Sequence, residues 1–168
     1  MQKEKIMKWG KELVVTLLLV VLFTTIVGLL RAPDTRQLNL RNLQATTLHG
    51  KRIDLKRFRG RPFVLHFWAT WCPVCKTEID NIQRICRTYP VVTVAVSSKK
   101  IEAFMKEHGL DFTVIDDASG RLASKFGITL FPTTLFIDPS GKVAFAESGY
   151  TTTLGLWLRL WYLGFVRG

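Results

Sequence analysis

Two cysteines three positions apart, Cys72 and Cys75, are the residues of this chain best suited to chemistry. They bracket Pro73 and Val74 and follow Phe63 to Trp68, a short apolar and aromatic run that reads as a buried central strand. A helix is predicted from Pro73 to about Arg87, with the apolar stripe Cys75, Ile79, Ile82 and Cys86. The pair therefore lies where a strand hands over to a helix. A first helical turn has unpaired N–H groups and the positive end of the dipole. A Cys72 thiolate is stabilised there, and the thiolate is the attacking species in disulfide exchange. Cys75, one turn on, is shielded and placed to attack the mixed disulfide and release the product. Pro73 suits the first helical position, where a missing N–H costs little. Trp71 would form an apolar platform beside the sulfurs, with Trp68 packed beneath it, a surface suited to an extended protein segment. Two other uses of the same sulfurs remain open. They can hold copper(I) as soft ligands, or donate disulfides instead of reducing them.

The remaining candidates are thinly spread. Cys86 shares the apolar stripe of the helix and reads as a core thiol. His49, His66 and His108 are scattered, and no four ligands have zinc-site spacing, so no metal and no cofactor are expected. Three cysteines are too few for a disulfide scaffold. The formal charge of +11 would suit a nucleic-acid binder. However, the stretch from Arg31 to Arg61, where Lys and Arg far outnumber Asp34 and Asp54, follows an apolar segment. It lacks the stacking aromatics or recognition helix that a phosphate-binding surface needs, so no nucleic-acid partner is expected.

Leu13 to Leu30 is a run of 18 residues without a charge, spanning roughly 27 Å as a helix against a bilayer core of about 30 Å. Lys11 and Arg31 close its ends. A cleaved signal peptide is the rival reading, but small residues at the cleavage positions are missing. The expected organisation is a cytoplasmic tail (1–12), a single-pass transmembrane anchor (13–30), a linker (31–37) and a catalytic domain (38–168). The positive-inside bias is slight. Long C-terminal domains translocate largely regardless of charge, which favours a cytoplasmic N-terminus and a periplasmic domain on the bacterial inner membrane.

Beyond the linker, Ile53 and Leu55 suggest a short strand, and His49-Gly50-Lys51 and Arg59-Gly60-Arg61-Pro62 read as turns. Strands at 91–96 and 112–115 alternate with helices at 101–108 and 119–126. Thr133 to Ile137 and Val143 to Ala146 form a hairpin over Asp138-Pro139-Ser140-Gly141. Leu154 to Phe165 closes the chain as a very apolar helix, packed on the sheet by default or lying partly on the membrane. The fold class is α/β, a mixed sheet flanked by helices, with one N-terminal transmembrane helix.

Phe67-Trp68-Ala69-Thr70-Trp71-Cys72-Pro73-Val74-Cys75, with Phe131-Pro132-Thr133-Thr134 downstream, resembles the thioredoxin superfamily. The details are similar to its membrane-tethered extracytoplasmic reductases of the TlpA/ResA type, including those tied to suppression of copper sensitivity. The resemblance implies a thioredoxin-like fold from about Leu38 onward, Cys72 as nucleophile and Cys75 as resolving thiol. It implies that Pro132 is a cis-proline facing the pair, with Trp71, Phe131 and Pro132 binding an extended substrate. Glu78 matches an acidic residue three positions past the second cysteine, where its carboxylate can relay protons. The alternatives are an ordinary trans proline and a first-turn helix acid. His66 stands where cytoplasmic thioredoxins carry a buried Asp, so that relay role does not transfer. His66 reads as a core or hydrogen-bonded histidine that can also tune the thiols. The implied partners are protein disulfide substrates, a membrane electron donor of the DsbD type, and inner-membrane lipid around the anchor. The implied setting is copper tolerance or cytochrome c maturation.

Overall fold

The computed structural model describes Glu12, Val15, Thr16, Leu19, Leu40 and residues 44–166. The chain divides into two units, Met1–Ala32 and Pro33–Gly168. In the first, Glu12, Val15, Thr16 and Leu19 are helical, and the Thr16 hydroxyl donates to the Glu12 carbonyl at 2.8 Å. The rest of the expected tail and anchor, and the linker 31–37, lie outside the described residues. Among the described residues no helix is long and apolar enough to cross a membrane.

The second unit opens with a small antiparallel hairpin, β1 (Gln44–Thr46) and β2 (Arg52–Asp54). Leu55 does not continue β2 as its alternation suggests. The Asp54 carboxylate accepts the Lys56 N–H at 2.9 Å and starts a 3-10 turn over Leu55–Phe58 that buries Leu55 and Phe58. The main sheet holds β3 (Phe63–Trp68), β4 (Val91–Val96), β5 (Thr113–Asp117), β6 (Thr133–Ile137) and β7 (Val143–Ser148), in the order β5-β4-β3-β6-β7. The pairs β3–β4 and β4–β5 are parallel, whereas β3–β6 and β6–β7 are antiparallel. Every residue of β3, β4 and β6 is buried. That explains why apolar residues fill most of their positions on both faces, with only His66, Thr93, Thr133 and Thr134 polar, since a sheet covered on both faces needs no polar side.

Alternation along β3 sends Val64 and Trp68 to one face and Phe63, Leu65 and Phe67 to the other. The first face carries α1 (Pro73–Cys86), through Ile79, Ile82 and Ile85, and α4 (Thr153–Val166), through Leu156, Leu160 and Leu163. Ile101 and Phe104 of α2 (Ile101–Glu107) join it. The other face carries Ile53 and Leu55, and Ala123 of α3 (Arg121–Lys125) with Phe126. The β1–β2 hairpin also shields the β5 edge, where the Leu48 N–H donates to the Val114 carbonyl at 2.8 Å.

Within the main sheet the expected strand boundaries move at two places. Phe112 is buried ahead of β5 rather than in it, and β5 extends to Asp117, whose carboxylate accepts the N–H groups of Leu122 and Ala123 at the start of α3. Strand β7 runs two residues past Ala146, where Ser148 meets the Thr133 hydroxyl at 2.9 Å.

Candidate active site

Strand β3 ends at Trp68, and four residues later Cys72 caps α1. Its backbone is extended (φ −86°, ψ 116°), with Pro73 in the first turn. The Cys72 Sγ accepts the Cys75 N–H at 3.2 Å and so takes the place of a side-chain oxygen at an N-cap. The Cys72 thiol points at the Phe131 carbonyl oxygen, 3.6 Å away. The Phe131–Pro132 peptide is cis, as the resemblance implies. All three cysteines are free thiols. Cys72 keeps 5% of its surface exposed while Cys75 keeps none. Burial pushes the Cys75 thiol up from its ordinary value, and its hydrogen bond with Cys72 adds to the effect.

The segment before Cys72 is held by the loop after β4. The Trp71 indole donates to the Ser97 carbonyl at 3.2 Å, the Thr70 N–H to the Ser98 hydroxyl at 3.0 Å, and the Thr70 hydroxyl to the Lys99 carbonyl at 3.2 Å. Ser97 (φ 45°) and Lys100 (φ 53°) take left-handed backbone, uncommon outside glycine. The Trp71 ring meets Phe131 edge-on at 5.9 Å. Trp71, Val74 and Leu130 are 58%, 43% and 48% exposed, an apolar collar around a nearly buried thiol. Trp68 lies deeper than expected. Its ring packs against Phe104 and Phe112.

Glu78 is fully buried beneath the pair and lies past the first helical turn, which holds no acidic residue. The reading as a helix-end acid therefore fails. Its Oε1 accepts the Thr151 N–H at 2.9 Å and its Oε2 has no partner. Burial raises its carboxyl to about 7, against the opposing pull of the Thr151 hydrogen bonds. Nearby, Glu147 pairs with Arg159 and accepts the Thr151 hydroxyl. Asn81 ties α1 to the start of α4, donating to the Thr151 carbonyl at 3.0 Å and accepting the Thr153 hydroxyl at 2.8 Å. His66 sits on the same face of β3 as Val64 and Trp68. Its Nδ1 is 3.0 Å from the Thr134 hydroxyl, its Nε2 has no partner, and burial lowers its pKa to about 3. It is neutral at ordinary pH and adds no positive potential to the thiols.

The structure thus gathers Cys72, Cys75, Trp71, Phe131 and Pro132 at one end of the sheet, with Glu78 behind Cys75. Cys86 lies at the far end of α1, half-buried and packed against the core, with its thiol raised by partial burial and then by Asp111. Sequence reasoning missed Val74, Leu130, Ser97, Ser98, Asn81 and Thr151. Val74, inside the first motif, and Leu130, bordering the second, were findable as apolar residues with no core pattern. Ser97 and Thr151 act through backbone groups, and the Ser98 hydroxyl and Asn81 amide meet partners distant in sequence, so none of the four leaves a local signature. Among the described residues no cluster of three or more His, Cys, Asp or Glu is placed to hold a metal ion.

Known proteins share this fold. The crystal structure of a secreted Mycobacterium tuberculosis disulfide oxidoreductase homologous to E. coli DsbE superposes with a TM-score of 0.66 at 26% identity, covering 74% of this chain and 98% of that one. The fold is therefore the thioredoxin-like α/β fold. The thiol-disulfide oxidoreductase ResA of Bacillus subtilis is 33% identical over 111 residues, covering 62% of this chain and 62% of that protein. The chain thus matches a little under two thirds of the length of such relatives. A thioredoxin-like protein of Haemophilus influenzae is 27% identical over 173 residues, 98% of this chain and 99% of that protein. The model of the AhpC/TSA family matches residues 37–146.

Proposed function

The chain belongs to the AhpC/TSA family, and from that premise we propose that it is a thiol–disulfide oxidoreductase of the ResA/DsbE type that reduces disulfides of partner proteins outside the cytoplasm. The observation that carries this reading is the setting of Cys72. It caps a helix, faces the Phe131 carbonyl and is ringed by exposed apolar side chains.

The steps follow from the geometry. An extended client segment lies along Phe131 and Pro132 against Trp71. The Cys72 thiolate attacks one client sulfur, forming a mixed disulfide and expelling the other as a thiolate, which takes up a proton. Cys75 is held as a thiol by its burial, so it needs a base before it can act. Glu78, with a carboxyl near neutrality, accepts that proton. The Cys75 thiolate then attacks the Cys72 Sγ, and the client leaves with both sulfurs reduced. The two electrons have come from the chain, which now holds a Cys72–Cys75 disulfide. A membrane donor of the DsbD type restores the dithiol. Clients are a partner thiol oxidoreductase, an apocytochrome c or a copper-handling protein.

Location belongs to the same proposal. The charge-free run Leu13 to Leu30 holds the chain in the bacterial inner membrane, with residues 1–12 cytoplasmic and the catalytic domain periplasmic. Full-length protein should resist carbonate extraction, and protease added to spheroplasts should digest the domain; protection of the domain would reverse the topology. For the chemistry, Cys72→Ser should abolish insulin reduction, and Cys75→Ser should accumulate mixed disulfides through Cys72 that identify the clients. Cys86→Ser should keep most activity. Full reduction by Cys72→Ser would overturn the assignment.

A further inference from the structure

We propose that the outward face of α4 docks on the phospholipid surface of the membrane that carries the anchor; the inference rests on the anchor reading for the nearness of that membrane. Helix α4 buries Leu156, Leu160 and Leu163 against the sheet. A surface helix of this kind ordinarily turns charged side chains outward, as α1 does with Lys76, Asp80 and Arg84. The opposite face of α4 instead presents Leu154, Trp157, Leu158, Trp161, Tyr162 and Phe165, each 40–78% exposed. Trp157, Trp161 and Phe165 stack one turn apart along it, with centroids 6.3 and 5.7 Å apart and planes within 13°. The charged residue of the helix, Arg159, is committed to Glu147 and to the Gly155 carbonyl. Among the described residues nothing covers this face.

A helix apolar on both sides fits a place between a protein core and a second apolar phase. Its composition points to lipid, because Trp and Tyr favour the headgroup layer while Leu and Phe reach the acyl chains. The surroundings point the same way. A Cβ on Gly164 would lie 3.6 Å from Pro62 Cγ, so the C-terminal end of α4 sits beside the segment that carries the exposed Arg57, Arg59 and Arg61. Those cations complement anionic headgroups, whereas a net charge of +11 opposes pairing with a second copy of the chain. Leu40, the first described residue after the apolar run, is at the same pole. Leu40 is 2% exposed and lies with Leu55, Phe58 and Phe63 at the start of β3. Residues 31–39 separate it from the apolar run, and even fully extended they reach only about 30 Å. Cys72 follows the opposite end of β3, away from the Gly164 end of α4, so docking seated on the C-terminal turns of α4 keeps the thiols at the far end of the sheet.

The test uses the full chain in vesicles of phosphatidylethanolamine and phosphatidylglycerol with brominated acyl chains, which quench tryptophans at the membrane. In Trp9→Phe, which silences the tryptophan before the anchor, brominated lipid should still quench fluorescence. Adding W157F and W161F should remove most of that quenching. Adding L158E and F165E to Trp9→Phe instead should remove it as well, while circular dichroism stays unchanged. Quenching that is absent in Trp9→Phe, or that survives W157F and W161F, overturns the proposal, whatever else covers the face. Carbonate extraction of the same vesicles separates the two readings. A retained chain without quenching sinks docking alone, and a released chain with quenching at Trp157 and Trp161 sinks the anchor alone.

Discussion

Glu78 and His66 each end in one buried polar atom without a partner, and burial drives both toward their neutral forms. Because one is an acid and the other a base, their pKa values move apart. Glu78 rises to about 7 and His66 falls to about 3. Near neutrality Glu78 can exchange a proton and His66 cannot, so of the two the carboxyl suits the proposed relay. Glu78→Gln keeps an oxygen for the Thr151 N–H and loses the titration. It should slow thiol exchange by about tenfold or more at neutral pH and erase the limb near 7 from the pH–rate profile. An unchanged profile in stopped-flow reduction of a client disulfide would remove Glu78 from the relay. Stability follows the opposite displacements. The contribution of Glu78 is fully present below its unfolded value of 4.5 and is lost as pH rises through about 7. For His66 the native state binds fewer protons than the unfolded state between about 3 and 6.5, so stability is lost as pH falls through that window. Below 4.5 the His66 loss is unopposed by Glu78. His66→Gln, whose amide can still meet Thr134, should flatten the acid limb of the thermal stability curve by a slope of about one proton. A limb as steep as the wild type's would place the acid sensitivity elsewhere.

Helices α1 and α4 lie on the same face of the sheet but divide their residues differently. In α1 the apolar stripe faces inward and the outer face is charged. In α4 only Leu156, Leu160 and Leu163 face inward, and further apolar side chains face out. Stability in solution should track the inner set. Leu160→Ala removes a fully buried side chain and should cost about 2–5 kcal/mol. Trp161→Ala, half exposed and stacked only along its own helix, should cost no more than about 1 kcal/mol. Urea melts of the two variants check the contrast, and equal costs would mean that the outer face is packed. Asn81 joins the two helices through three groups of the Tyr150–Thr153 segment. Asn81→Ala should cost about 1–3 kcal/mol by leaving the Thr151 carbonyl and its neighbours short of partners.

Across the whole molecule, the distribution of charge and donors sets the direction of electron flow. Stabilising the Cys72 thiolate favours the reduced pair and makes it a stronger oxidant. The Cys75 N–H reaches the Cys72 sulfur, Pro73 has no N–H to offer, and Val74 has no polar side chain. Two groups that might have offset this in the sequence do not. His66 is neutral, and Arg57, Arg59 and Arg61 lie before the start of β3 while the cysteines follow its end. The potential is therefore expected below about −200 mV, nearer to thioredoxin than to the periplasmic oxidase at about −120 mV. Equilibration with glutathione buffers measures it. A value above about −150 mV would make the pair a disulfide donor, overturn the proposed reducing direction and leave the thiol chemistry standing.

The sequence by itself determined what depends on local order: the strand Phe63–Trp68, the helix opened by Cys72 and Pro73, the hairpin over Asp138–Gly141, and the cysteine pair. Each rests on alternation, a cap or a turn that neighbouring residues specify. Its errors came where a side chain reached beyond its own element. Asp54 turned Leu55 out of a strand by capping the next turn. Glu78 looked like either a relay or a helix-end acid, because only the packing of α4 and the Thr151 N–H against α1 show that it is buried. His66 is the core, hydrogen-bonded histidine that the sequence suggests, but its charge in tuning the thiols is lost, because desolvation is a property of the whole core and not of its neighbours in the chain. The support of Trp71 by Ser97 was equally hidden, since it runs through a backbone carbonyl set by left-handed φ. Tertiary structure decided which groups are dry, and dryness decides which of them can carry a proton.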